Sequence, residues 1–254
     1  MVIRAVATKG SSVYTITMTR GILIAGNESA LTSAIEIEAA RRVEHYTLAL
    51  LPDRLSADNT KTGLHANREN SPLQSPADST ETKRISLDWN PGSPISARTL
   101  ILAAENRIEQ VNEAILVCDP PSIRCAAADL NLTNIEVLVN DHIKGWFFLV
   151  KELAALFRAH SGGTMALVYP ETTGTGSKDD AADLLGATAL AAFRSLTRSL
   201  LAAALSEPYF TLGFSGADAG DEAGFAAFIF KQLDEGNRRG NGKLHKYGKL
   251  GFFR

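Results

Sequence analysis

The sequence predicts an α/β protein: a Rossmann-like, doubly wound parallel sheet in three layers, α/β/α, within a single domain. Two observations predict it. Short, β-rich apolar runs alternate with longer helical patterns along the chain, as βαβ units require. The strand runs are nearly continuous in apolar residues, as in strands covered on both faces. Right-handed crossovers then place helices on both sides of the sheet.

In chain order, strands are expected at 22–26, 46–51, 84–89, 114–118, 164–169 and 209–216. Helices are expected between them at 30–42, 95–109, 135–160, 180–206 and 221–235. The first helix carries its apolar stripe on Ala34, Ile35, Ile37 and Ala39. Three segments stand outside the alternation. Residues 1–20 contain Val13, Tyr14, Thr15, Ile16 and Thr17, which favour an added edge strand or hairpin. Residues 55–83 are rich in Ser, Asn, Asp, Thr and Lys, with Pro72 and Pro76. They bury too little apolar area to offset their ordering entropy, so a mobile polar insertion is expected. Residues 236–254 mix Gly and Lys with Leu244, Tyr247, Leu250, Phe252 and Phe253, which fits a last short strand.

Composition excludes several classes. The chain is 45% hydrophobic and 21% charged, as soluble globular proteins are. A net charge of −2 gives no overall drive toward nucleic acid or an anionic membrane. No apolar run approaches the ~20 residues of a membrane span. Arg4, Lys9 and Arg20 interrupt the N-terminal apolar stretch, so no signal peptide is expected. Cys118 and Cys125 are the only cysteines and have no metal-ligand spacing. No metal is therefore expected, and a reduced, cytoplasmic setting fits. The stretch from 231 to 254 is locally basic, through Lys231, Arg238, Arg239, Lys243, Lys246, Lys249 and Arg254. A solvated tail accounts for it, with a patch for phosphate or an acidic partner as the alternative.

The first βα turn runs Gly21-Ile22-Leu23-Ile24-Ala25-Gly26 into Asn27-Glu28-Ser29-Ala30-Leu31-Thr32. It resembles the Thr-Gly-x-x-x-Gly-x-Gly turn of the short-chain dehydrogenases/reductases. That resemblance extends, segment by segment, from residue 21 to about 235. It implies NAD(P) as cofactor and places Gly26, Asn27, Ser29 and Leu31 at the pyrophosphate, Arg54 at a 2′-phosphate and Asp88 at the adenine. Cys118 then stands at the end of the fourth strand.

Four of the family's motifs are altered. Ala30 and Thr32 replace two turn glycines, and Glu28 adds a charge that repels pyrophosphate. Cys118-Asp119-Pro120-Pro121 stands where Asn-Asn-Ala-Gly belongs, and prolines lack backbone donors. After the fifth strand come Tyr169, Pro170, Glu171 and Thr172 in place of the catalytic Ser. The Tyr-x-x-x-Lys pair falls on Gly186 and Leu190, and the spacing occurs nowhere in the chain. In the pattern Val139-Asn140-Asp141-His142-Ile143-Lys144-Gly145, the family's catalytic Asn position falls on His142. His142 is the one catalytic candidate, as a general base. The loop Gly174-Thr175-Gly176-Ser177-Lys178 lacks Walker spacing.

These losses favour a catalytically degenerate protein with a binding or assembly role and no assigned cofactor. One alternative is an active NAD(P)-dependent oxidoreductase with relocated groups, using His142 or Lys178. Another is a homo-oligomeric interaction module. Segments 135–160 and 180–206 match the family's dimer and tetramer helices. They carry Trp146, Phe147, Phe148 and Leu149, and Leu196, Leu200, Leu201 and Leu205.

Overall fold

The computed structural model describes residues 20–52, 83–120, 127–171, 183–217, 220–235 and 240–248. Residues 1–19 of the N-terminal extension, 53–82 with the insertion and Arg54, the 172–182 loop with Lys178, and 236–239 and 249–254 of the basic tail lie outside them.

Among the described residues, seven strands form one parallel sheet: β1 (Ile22–Gly26), β2 (His45–Leu50), β3 (Lys83–Ser86), β4 (Glu113–Val117), β5 (Thr164–Pro170), β6 (Phe210–Gly216) and β7 (Leu244–Tyr247). Their order across the sheet is β3-β2-β1-β4-β5-β6-β7. The six predicted strands are all present, each within three residues of its expected ends, and the last short strand falls inside 236–254.

The helices are α1 (Ala30–Ala40), α2 (Pro94–Ile108), α3 (Leu132–Val137), α4 (Gly145–Ala159), α5 (Leu184–Ala203) and α6 (Glu222–Asp234). Polar caps start most of them. Ser29, Ser93, Asn131, Asp183 and Asp221 each accept a hydrogen bond from a backbone N–H in the first turn.

Alternate residues of the strands divide between two cores. Leu23, Ala25, Leu116, Met165, Leu167 and Tyr169 face α2, α4 and α5. Ile22, Ile24, Ile115, Val117, Val168 and Phe214 face α1 and α6. This is the three-layer arrangement, with the sheet in the middle.

The expected helix at 135–160 is corrected in one respect. It starts at Leu132, and residues Leu138–Lys144 form a π-helical segment between α3 and α4. The segment sits against the Asn90–Gly92 turn. A methyl on Gly145 would lie 2.6 Å from Cβ of Pro91, so only glycine permits this approach. Helical periodicity does not report such a segment, because it widens the helix without interrupting its apolar pattern.

The apolar faces of the two long helices are also redistributed. Trp146, Leu149, Leu196 and Leu201 belong to the protein's own core. Among the described residues of these helices, Phe147, 55% exposed, and Leu205, 85% exposed, stand out to solvent, with Leu184 at the start of α5 also exposed.

Candidate functional site

The strand order reverses at β1, which lies between β2 and β4. In sheets of this kind, ligands bind beyond the carboxyl ends of the strands at such a switch point. Gly26 and Asn27 leave β1 there, and Cys118 and Asp119 leave β4.

The turn is tightly filled. A methyl on Gly26 would meet Cβ and the carbonyl of Val117, both at 2.9 Å, and the Thr32 hydroxyl at 3.1 Å. Thr32 is buried at the junction of α1 with β1, its hydroxyl 3.3 Å from that of Ser29. Asn27 is buried too, and its Oδ1 accepts from the backbone N–H of Asp119 at 3.3 Å. Ser29 caps α1 by accepting from the Thr32 N–H at 3.2 Å.

The anion at this helix end is supplied by the chain itself. The carboxyl of Asp119 lies close enough to the Ser29 side chain for the two to interact. Burial raises its pKa; Ser29 opposes that shift, and Glu222 adds to it. Glu28 is exposed beside them. A helix N-terminus favours negative charge. Here that place faces a carboxyl group, with two further acidic side chains nearby. Pyrophosphate carries the same sign, so the residues present do not fit it.

The other sequence candidates are dispersed. Leu31 packs into the core between α1 and the sheet. Cys118 is fully buried, and burial and Asp119 push its thiol pKa far up, so no thiolate forms. Asp88 is exposed just beyond β3. Among the described residues, no His, Cys, Asp and Glu side chains cluster as a metal site would require.

His142 lies in the π-helical segment, 3% exposed. Burial lowers its pKa to about 4. Its Nδ1 has no hydrogen-bond partner among the described residues. The imidazole is therefore neutral near pH 7, and a group of such low basicity is a poor proton acceptor. At the two positions that the resemblance assigns to the Tyr and Lys, Gly186 donates its N–H to Asp183 at 2.9 Å, and Leu190 is buried in the core.

Sequence reasoning missed Asp119 at the turn and Arg194 at the end of β5. Arg194 donates to the Pro170 carbonyl at 3.1 Å, and its guanidinium lies 5.4 Å from the ring centre of Tyr169. Neither contact has a local signal. Asp119 lies 90 residues beyond Ser29 in the chain, and Arg194 reads as one more arginine on a helix.

No protein-family profile matches the chain, and neither does any curated protein. Solved structures do match. A short chain dehydrogenase from Mycobacterium smegmatis superposes with a TM-score of 0.66 at 12% identity, covering 91% of this chain and 93% of that one. The fold is that of the short-chain dehydrogenases/reductases. Acetoin dehydrogenase YohF from Salmonella typhimurium gives a TM-score of 0.65 at 12% identity, over 90% and 95% of the two chains. NADH-dependent reductase A1-R′ complexed with NAD gives 0.64 at 13% identity, over 89% and 94%. Among the described residues, no helix of this short-chain dehydrogenase fold is long and apolar enough to cross a membrane.

Proposed function

We propose that this chain is a catalytically degenerate short-chain dehydrogenase-like protein that serves in binding or assembly and not in hydride transfer. The observation that carries this reading is the Asp119 carboxyl on the Ser29 cap, where a dinucleotide would place its pyrophosphate. Supporting it, the positions of the family's Tyr and Lys hold the buried Gly186 and Leu190. Neither can donate or accept a side-chain proton. The test is a titration with NADH and NADPH, followed by nicotinamide fluorescence and melting temperature. Saturation at 100 times Kd would stabilise the fold by about 2.7 kcal/mol. No response at about 1 mM cofactor is expected, and saturable micromolar binding overturns the reading.

The second reading is an active NAD(P)-dependent oxidoreductase with relocated groups. It draws on the dehydrogenase and NAD-bound reductase structures that share the fold. The same titration decides between the two. Assembly through α4 and α5 as a homodimer or tetramer is part of our proposal. It rests on Phe147, which α4 leaves exposed. A sedimentation mass of monomer alone would remove that part.

A further inference from the structure

The other end of the sheet carries a polar cluster that the α1 turn does not use. Tyr169 of β5, Ser215 of β6 and Lys246 of β7 are register partners, so they form one row across three strands. Tyr169 belongs to the core beneath α5, which puts the row on the α5 face. Glu171, just past β5, folds back over it. Its Oε1 accepts from the Ser215 hydroxyl at 3.0 Å and pairs with Nζ of Lys246 at 3.2 Å. From α5, Arg194 lies on the Tyr169 ring and donates to Pro170. Arg198 follows one turn later on the same side, exposed and close enough to act on the Tyr169 hydroxyl. Below, a methyl on Gly213 would touch Leu201, Leu244 and Thr197, so α5 closes on β6 and β7 there.

The charges in this corner do not balance. Arg194, Arg198 and Glu171 all act on Tyr169, and Glu171 is already engaged by Ser215 and Lys246. Among the described residues, Arg198 has no ion pair, and the Arg194 guanidinium finds only a carbonyl. Its buried Nε–H has no acceptor at all. A guanidinium used only for structure is ordinarily matched to a carboxylate. Arginine forks with a lysine in the same corner match a phosphate or carboxylate group.

The geometry points to a site for a small, phosphate-sized oxyanion between α5 and β7, held by Arg194, Arg198 and Lys246. It lies on the sheet face opposite α1, away from the Gly26–Ser29 turn.

The test is calorimetric titration of the full chain with inorganic phosphate, against sodium chloride at equal ionic strength. Amide chemical shifts are followed in parallel. Saturable binding is expected, with shifts at the ends of β5 to β7 and on α5. Arg198→Gln, at an exposed position that leaves the core intact, should weaken binding about tenfold, the worth of one charge-assisted hydrogen bond. Lys231→Gln, on α6 across the sheet, should leave it unchanged. No binding tighter than about 10 mM overturns the site, and so does binding that Arg198→Gln leaves unaltered.

Discussion

The carboxyl of Asp119 lies against Ser29, the N-cap of α1. Burial raises the Asp119 pKa above its ordinary carboxylate value, so the folded chain holds this proton more tightly than the unfolded one. Stability therefore falls as pH rises from the unfolded value, about 3.9, through the raised folded one. Asp119→Asn keeps a polar side chain near Ser29 and removes the partly buried charge. The variant is expected to be more stable than the parent at pH 7, by urea denaturation, and to lack this downward slope.

His142 gives a slope of the opposite sign. Its folded pKa of about 4 lies below the ordinary value of 6.5, so the unfolded chain takes up the proton first as pH falls. The contribution is fully present above about 6.5 and is lost progressively toward pH 4, at most about 3 kcal/mol in all. Denaturation curves between pH 7 and 4 should show it. His142→Gln should flatten the profile without altering any response to cofactor.

Gly145→Ala sets two effects against each other. Alanine favours a helix over glycine by about 1 kcal/mol. The new methyl would lie 2.6 Å from Cβ of Pro91, and such overpacking costs about 1–3 kcal/mol. The clash is expected to win, so the variant should melt at lower temperature and the π-helical segment should shift in its amide spectrum.

Phe193 joins two aromatic contacts, with Trp146 at 5.1 Å and with Tyr169 at 6.3 Å between ring centres. Phe193→Ala opens a cavity beneath α5. A loss of about 3–5 kcal/mol is expected from chemical denaturation, together with a change in Trp146 fluorescence.

Asp234 shows how little an exposed ion pair contributes by comparison. It receives Arg42 at 3.1 Å and also Arg20, and Arg42 stacks on Phe230 at 4.7 Å. Solvent screens these charges, since the Asp234 side chain is 41% exposed. Asp234→Asn should cost no more than about 1 kcal/mol, and 1 M salt should erase the difference.

By itself the sequence determined the strand and helix order, and it contains no Tyr-x-x-x-Lys spacing. Those features rest on neighbours within a few residues, where period, capping and spacing act. Tertiary structure alone decided the rest. It brought Asp119 to Ser29 across 90 residues, and it laid Arg194 on Tyr169, in register with Ser215. It also buried His142, whose charge state follows from desolvation and not from its neighbours in the chain. The physical reason is common to all three. Burial and electrostatic pairing act through space, between residues that come together only once the sheet has assembled.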